Sequence, residues 1–283
     1  MRPVISMVPS WTETLVHARA RVVGRTRFCV HPTDAVKNVS VLGGTKTLAQ
    51  DADLKMRELV EIARQDGLRL LVVLDREENP EPFKRFFENY DCEILVTHVE
   101  NFRSLENALQ SLSAAFLAET SSKDDMKVGQ NLLALAGRTA RFETKSMGRL
   151  TPTVILESDF SIEKIEDALR TGEKPVFYFI WRKPWMIVRA DTWIGSALKS
   201  CFSNIVFPEA ENRYAEISED QIPDDAILFF SSEPFPFART WEEVKMLPFV
   251  KKAKVAALVD GESLSWFGIR AIRFLEEASC ERR

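Results

Sequence analysis

Residues 4–24 read VISMVPSWTETLVHARARVVG, and this stretch predicts a strand, a helix and a second strand in succession. The apolar run Val4–Val8 has the length of a buried strand. Ser10 and Glu13 have the spacing of a capping box, with Ser10 as N-cap and Glu13 at position N3, so a short helix is expected to begin here. Val22–Gly24 predicts the second strand. The strand–helix–strand order implies parallel strands joined by right-handed crossovers.

The same alternation continues along the chain and predicts an α/β fold. Further strands are expected at Leu68–Leu74, Cys92–Thr97, Thr153–Glu157, Pro175–Ile180, Ala226–Phe230 and Val255–Val259, and helices at Asp53–Gln65, Pro82–Tyr90, Ser104–Glu119, Ser161–Arg170, Asp191–Cys201, Thr240–Met246 and Ile269–Ala278. Between the two series, Lys123–Met147 predicts one long helix of roughly 35 Å at about 1.5 Å per residue. We therefore expect two Rossmann-like lobes with parallel sheets, residues 1–120 and 151–283, joined by a backbone helix in residues 121–150.

The composition is that of a globular protein. Of 283 residues, 45% are hydrophobic and 28% are charged, which excludes a wholly disordered chain. The 38 basic and 42 acidic residues give a net charge of −4, so the overall basic character of a nucleic-acid-binding protein is absent. Only 11 residues are glycine, so glycine-rich phosphate loops are expected to be scarce.

The sequence predicts no insertion into a membrane. Apolar runs such as Leu70–Leu74 and Ala226–Phe230 are far shorter than the ~20 residues that span a bilayer. The apolar run after Met1 is too short for a secretory signal, so a cytoplasmic location is expected, or a periplasmic one if Met1 is not the native start. Cys29, Cys92, Cys201 and Cys280 form no CxxC motif and predict reduced thiols, three of them buried.

Large aromatic residues follow the predicted strands. In open parallel sheets, ligands bind outside the carboxyl ends of the strands. Four of the six tryptophans lie in the predicted turns at these ends, which otherwise favour small polar residues. Such a rim suits a flat, partly apolar ligand with polar edges; the alternative is that these rings cap the core. The candidate ligand-binding residues at the strand ends are Trp11, Arg25, Phe28, His31, Trp181, Arg182, Trp185, Phe235, Phe237, Trp266 and Phe267.

The motifs of common catalytic sites are weak or missing. No GxSxG occurs, and His17, His31 and His98 have no recognised metal-binding spacing. Cys29 and His31 are too close in an extended loop to act as nucleophile and base. Gly43–Lys46 does not satisfy GxxxxGK[ST] and is interpreted as a turn. We therefore predict no catalytic residue and no metal ligand.

The chain resembles the helical-backbone, class III periplasmic substrate-binding proteins of bacterial ABC importers for vitamin B12, ferric siderophores and haem. The resemblance begins in residues 4–15, VISMVPSWTETL, and continues through VVGRT, HP and GGTK at residues 22–26, 31–32 and 43–46. It proceeds in order through residues 181–186, 204–207, 231–237, 260–261 and 265–266, so it covers nearly the whole chain. It implies two α/β lobes joined by one long helix and a non-enzymatic binder with its ligand between the lobes.

The resemblance also assigns roles to residues. His31 corresponds to an aromatic position on the rim of the first lobe, and Arg25 and Arg182 would pair with carboxylate or phosphate groups of the ligand. In the second lobe the ligand-facing positions are Trp181, Arg182, Trp185, Trp266 and Phe267. Glu81 and Asp220 lie where the family docks its permease, although both also suit the first turn of a helix.

Together these observations predict a solute-binding protein that holds a corrinoid, a haem-like molecule or a ferric or other metal chelate in the cleft between its lobes. We expect a monomer with no cofactor of its own, an ABC permease as partner and no nucleic-acid partner. Two alternatives remain at this point. One is a cytoplasmic corrinoid- or chelate-handling protein or enzyme that reuses the scaffold. The other is an interaction module whose aromatic patch is a protein interface.

Overall fold

The computed structural model describes residues 1–118, 122–142, 147–150 and 154–279. The chain folds as two compact units. Unit 1 comprises Met1–Ala140 together with Phe267–Arg270, and unit 2 comprises Arg141–Trp266 and the residues from Ala271 onward. The predicted division at residues 120 and 150 stays a prediction.

Unit 1 is built from alternating strands and helices. Its strands are β1 (Pro3–Ser6), β2 (Arg21–Thr26), β3 (Ser40–Gly43), β4 (Leu70–Asp75) and β5 (Cys92–Thr97). Its helices are α1 (Pro9–His17), α2 (Thr33–Val36), α3 (Ala52–Gln65), α4 (Glu81–Phe87), α5 (Phe102–Ala118) and α6 (Lys123–Thr139).

The five strands of unit 1 form one parallel sheet in the order β3-β2-β1-β4-β5. Every residue of β4 is buried, as expected for a strand covered on both faces. One face of the sheet packs against apolar residues of α3 and α4, among them Met56 and Phe83. This order places the ends of β1, β2, β4 and β5 side by side, and with them the loops that carry the candidate residues of unit 1.

Unit 2 repeats the alternation with a different sheet. Its strands are β6 (Ile155–Glu157), β7 (Val176–Trp181), β8 (Trp185–Val188), β9 (Tyr214–Ile217), β10 (Ile227–Ser231) and β11 (Val255–Val259). Its helices are α7 (Ile162–Thr171), α8 (Trp193–Cys201), α9 (Trp241–Val244), α10 (Pro248–Lys251) and α11 (Gly261–Ser265), and α12 (Ile269–Ser279) ends the described chain.

The sheet of unit 2 is mixed, in the order β6-β11-β10-β7-β8-β9. Strands β11, β10 and β7 are parallel, whereas β6, β8 and β9 are antiparallel to their neighbours. Phenylalanines on adjacent strands stack directly, with the rings of Phe179 and Phe230 4.7 Å apart and 6° from parallel. The predicted α/β architecture is confirmed, with the correction that parallel pairing is confined to the centre of this sheet.

The start of α1 corrects the predicted capping box. The helix begins at Pro9 and its N-cap is Val8, which makes no side-chain cap. Proline suits the first helical position because its φ angle is already near the helical value and no N–H needs a partner there. Ser10 therefore lies inside the first turn, and Glu13 accepts a 2.8 Å hydrogen bond from Nε of Arg270 instead.

The long helix is shorter than predicted. Helix α6 has 17 residues, about 25 Å at 1.5 Å per residue, and a 3-10 turn follows at Ala140–Phe142. The predicted continuation through 143–146 lies outside the described residues. Within the described part of the chain, none of the helices combines the length and the apolarity needed to cross a bilayer.

Candidate functional site

Trp11 is part of the core of unit 1. It lies in α1 with no exposed surface, and its ring meets the edge of Phe267 at a centroid distance of 5.0 Å. Its indole Nε1 donates a 2.8 Å hydrogen bond to Oγ1 of Thr97, which in turn donates to Oδ2 of Asp75 at 2.8 Å. The ring offers no face on which a ligand could stack. Trp11 instead fixes α1 to the ends of β4 and β5 through Thr97 and Asp75, and Phe267 (6% exposed) packs against its ring.

Arg25 organises the loop that follows β2. Its guanidinium donates to three backbone carbonyls: Nε to Val36 at 2.9 Å, and Nη1 to Thr26 at 3.1 Å and to Cys29 at 3.2 Å. These bonds shape the loop. They also direct the guanidinium of Arg25, which was predicted to pair with an anionic group of the ligand, toward the protein's own backbone. Cys29 is buried in the same loop, where burial raises the pKa of its thiol.

Phe28 and His31 are the accessible candidates of that loop. The side chain of Phe28 is 47% exposed, and the guanidinium of Arg27 lies 4.9 Å from its ring centre. His31 is half-buried. An exposed aromatic ring beside a cation can contact a flat ligand with anionic edges.

The loop after β4 carries concentrated negative charge. Asn79 holds it in place, since Nδ2 donates to the carbonyls of Met7 (3.1 Å) and Thr45 (3.0 Å). Burial is the main cause that raises the pKa of Asp75, and the charge of Glu77 adds to it. The pKa of Glu78 is raised mainly by burial. The charges of Asp75 and Glu77 add to this rise, and the charge of Lys46 opposes it.

Glu77, His98 and Glu100 are the described residues that could hold a metal ion. Each offers one donor atom, and these atoms lie within 4.8 Å of one another. Sequence spacing did not reveal this group, because Glu77 follows β4 and the other two follow β5. The parallel pairing of Asp75 with Thr97 brings them together. Only a prediction of which strands are neighbours could have found them.

In unit 2 the carboxyl end of β7 carries an exposed aromatic surface. Trp181 is the last residue of β7 and is 41% exposed. Its ring meets Phe235 edge-on at 5.6 Å, and Phe235 lies 4.7 Å from the buried ring of Phe237. The half-buried Phe235 thus supports the exposed Trp181 from the core side.

Trp185 lies in β8, at the start of the returning strand. Its ring is parallel to Phe237 at 6.2 Å, and its Nε1 donates a 3.1 Å hydrogen bond to Oε1 of Glu219. The guanidinium of Arg182 lies 5.7 Å from the centre of the same ring and 3.1 Å from Oε2 of Glu243. Trp185 is therefore half-buried and held in place by Phe237, Glu219 and Arg182. Arg182 already has an acidic partner in Glu243.

Hydrogen bonds also fix the ends of β10 and β11. Tyr178 donates to Oγ of Ser231 at 3.2 Å, and Ser231 donates to the carbonyl of Glu233 at 2.5 Å. A Cβ at Gly261 would lie 2.3 Å from Oγ of Ser231, so this position requires glycine. Trp266, which follows α11, is 9% exposed and belongs to this packed region.

The structure thus revises where the tryptophans lie. Trp11 is in a helix, Trp185 is in a strand, and Trp181 ends a strand, so only Trp266 of the four lies in a connecting segment. Of the candidate residues, the structure groups Trp181, Arg182, Trp185, Phe235 and Phe237 in unit 2 and Arg25, Phe28 and His31 in unit 1.

Glu81 and Asp220 are separate from these groups. Glu81 is exposed at the start of α4, 3.7 Å from Nε of Arg85. Asp220 is exposed in the 3-10 turn Glu219–Gln221. Their predicted docking role stays a prediction.

Comparison with solved structures identifies the fold. The chain is 14% identical to the periplasmic vitamin B12-binding protein BtuF of Vibrio cholerae, with 98% of this chain and 95% of that chain covered and a TM-score of 0.62. It is 18% identical to a periplasmic haem-binding protein of Pseudomonas aeruginosa (98% and 91% covered, TM-score 0.63). It is 15% identical to FhuD2 of Staphylococcus aureus with bound ferrioxamine B (99% and 98% covered, TM-score 0.56). The first two are binding proteins, and the third holds ferrioxamine B.

No protein-family model and no curated protein sequence matches this chain.

These neighbours correct the expected location. The expectation of a cytoplasmic protein is wrong, because four solved proteins with this fold are periplasmic binding proteins, which points to an extracytoplasmic location. The structures that this chain resembles include periplasmic binding proteins for vitamin B12 and haem and a protein with bound ferrioxamine B. They agree with the resemblance to class III binding proteins, and the chain has their fold.

Proposed function

We propose that the protein is a non-enzymatic solute-binding protein of an ABC importer, with a corrinoid, a haem-like molecule or a ferric chelate as its ligand. The observation that carries the proposal is the length of the structural likeness. It covers 98–99% of this chain and 95–98% of the B12-binding and ferrioxamine-binding neighbours. A shared fold alone leaves function open, so the proposal also depends on the side chains at the strand ends.

In unit 2 the exposed surface suits a large flat ligand. Trp181 offers an accessible ring, and Phe235 and Trp185 hold the surrounding surface in place. Lys183, exposed in the turn before β8, would meet anionic edges of the ligand. Arg182 is less available, because its side chain is 16% exposed and already pairs with Glu243.

In unit 1 the corresponding residues are Phe28 and His31. The exposed ring of Phe28 and the adjacent guanidinium of Arg27 combine apolar area with positive charge. Arg25 would act indirectly, because its guanidinium donates to backbone carbonyls of the loop that carries these two residues. Trp11 and Phe267 belong to the core and would not contribute to affinity.

A permease partner follows from the same proposal. Glu81 and Asp220 would each offer an exposed carboxylate to a basic residue of the permease. Glu81→Gln and Asp220→Asn should each lower ligand-stimulated ATP hydrolysis in a reconstituted importer while ligand binding is unchanged.

Thermal denaturation with cyanocobalamin, haemin and ferrioxamine B tests the ligand class. A ligand at a hundred times its Kd stabilises a protein by about 2.7 kcal/mol. For a protein of this size that corresponds to a rise in Tm of several degrees. Because the ligand class is broad, a rise with one of the three is expected, and the absence of any rise with all three would refute the proposed class.

Two aromatic variants test the surface. Trp181→Ala should weaken binding about five- to tenfold, since it removes an exposed stacking ring. Tyr214→Ala is the matched control, because Tyr214 is also an exposed aromatic residue of unit 2 (37%) but pairs with Val188 at the other end of β8. Equal affinities of the two variants would contradict the assignment of Trp181.

A further inference from the structure

Strand pairing in unit 1 forms a group of metal-binding side chains that the proposed function does not use. Strands β4 and β5 end in register at Asp75 and Thr97. Glu77 lies two residues beyond the first strand, and His98 and Glu100 lie one and three residues beyond the second. Their donor atoms lie within 4.8 Å of one another.

The distances approach those of a coordination sphere. Nitrogen and oxygen atoms that share a metal at about 2.1 Å lie about 3 to 3.5 Å apart. His98 Nε2 and Glu100 Oε1 are already 3.1 Å apart. The carboxylate of Glu77 supplies the third donor atom, within 4.8 Å of the other two.

The backbone that carries these ligands is held by hydrogen bonds. The amide of Glu77 donates to Oδ1 of Asp75 at 3.0 Å, and the amide of Glu100 donates to Oγ of Ser104 at 2.9 Å. The amide of Arg76, which precedes Glu77, donates to the carbonyl of Thr97, which precedes His98, at 3.0 Å. The two ligand-bearing segments are therefore fixed to each other before any ion binds.

The imidazole of His98 presents one of its two nitrogens to the carboxylates. Its Nδ1 is buried, and among the described residues it has no hydrogen-bond partner. Nε2 lies 3.1 Å from Oε1 of Glu100, so it is the nitrogen that faces the carboxylates. About one third of the His98 side chain and of the Glu100 side chain is exposed, which leaves a path for an ion.

We propose that Glu77, His98 and Glu100 bind a divalent first-row transition-metal ion such as Zn²⁺. One imidazole nitrogen and two carboxylate oxygens suit such ions, whereas sites that prefer Mg²⁺ or Ca²⁺ consist of oxygen donors. The two carboxylates neutralise the charge of the ion, and water completes its coordination. The site belongs to unit 1 alone and does not depend on the identity of the proposed chelate ligand.

Calorimetric titration of the full chain with ZnCl₂ tests the site. We expect one Zn²⁺ per chain and no heat from MgCl₂ at the same concentration. His98→Ala should weaken Zn²⁺ binding at least about tenfold. His17→Ala, which changes the same residue type at the end of α1, should bind Zn²⁺ as the parent does. No binding by the parent protein, or equal affinity in His98→Ala, would overturn the site.

A second measurement covers the case in which His98→Ala fails to fold. Glu100→Gln changes a partly exposed carboxylate and should also lose at least about tenfold in affinity; a normal affinity in this variant would refute the site. Co²⁺ then serves as a spectroscopic probe, and its visible d–d bands should weaken in both variants. Strong thiolate charge-transfer bands would place the metal on cysteine and overturn the assignment. No chelate is present in these titrations, so their outcome is separate from that of the ligand screen.

Discussion

Replacement of Trp11 by phenylalanine should destabilise the protein without changing its affinity for ligand. The substitution removes the buried Nε1 donor to Thr97, which is worth about 1 kcal/mol. It also leaves a cavity of roughly 40 Å³ against Phe267, which at about 24 cal/mol per Å³ adds about 1 kcal/mol. We therefore expect a loss of about 2 kcal/mol in the free energy of unfolding of unit 1.

Urea denaturation followed by far-UV circular dichroism measures this loss. Because the chain has two compact units, the transition is first tested for two-state behaviour with a second probe. Phe28→Leu is the control, since Phe28 is 47% exposed and its replacement should change stability by less than about 0.5 kcal/mol. A change below about 0.5 kcal/mol for Trp11→Phe, or weaker ligand binding at unchanged stability, would refute the structural role.

Thr97→Val extends the same reasoning. Its hydroxyl accepts from Trp11 and donates to Asp75, so removal leaves two buried polar groups without their partner and costs about 2–4 kcal/mol. The double variant with Trp11→Phe should be less destabilised than the two single losses together, by about 1 kcal/mol, because the shared hydrogen bond is lost only once. Additive losses would show that the two side chains are not coupled.

Three further outcomes follow from local geometry. Gly137→Ala should raise the free energy of unfolding by about 0.5–1 kcal/mol, because Gly137 lies inside α6 with no atom within 4 Å of a new Cβ. Gly261→Ala should lower the free energy of unfolding by at least about 2 kcal/mol, because the new Cβ would lie 2.3 Å from Oγ of Ser231. Thermal denaturation measures both variants, and a Gly261→Ala protein more stable than Gly137→Ala would contradict the packing. In a Cys280→Ser background, the three other thiols should not react with Ellman's reagent at pH 8 until the protein is denatured. Burial raises the pKa of Cys92 to about 11 and also raises that of Cys29 and Cys201, so little thiolate exists at pH 8, and rapid reaction of the native protein would show that a thiol is accessible.

The order of strands and helices could be predicted because periodicity reports burial. Cys92–Thr97 and Val255–Val259 are strands with the predicted bounds, and the continuous apolar run of β4 is buried on both faces as expected. The buried cysteines were also predictable, since isolated apolar thiols in such segments favour the core. Short antiparallel strands such as β8 and β9 were missed, because four residues contain too little alternation to be recognised.

The candidate site could be predicted only in part. The strand-end rule directed attention to the turn that begins at Trp181, where the structure has an exposed ring. The same rule selected Trp11, because the proline and serine before it resemble a turn. In the structure that proline is the first residue of α1, so Trp11 is a helical residue and its ring is buried in the core. Arg25 was selected for its charge, but its hydrogen bonds to the backbone of its own loop depend on the path of that loop.

Local pattern was thus sufficient for the alternation of elements and the α/β class, because each depends on neighbours a few positions apart. The pairing of strands was not accessible in that way, since outside the β7–β8 hairpin it joins residues sixteen or more positions apart. The mixed edges of the second sheet, the burial of Trp11 against Phe267 and the meeting of Glu77 with His98 all arise from such long-range pairings. They became visible only once the folded chain showed which strand ends are neighbours.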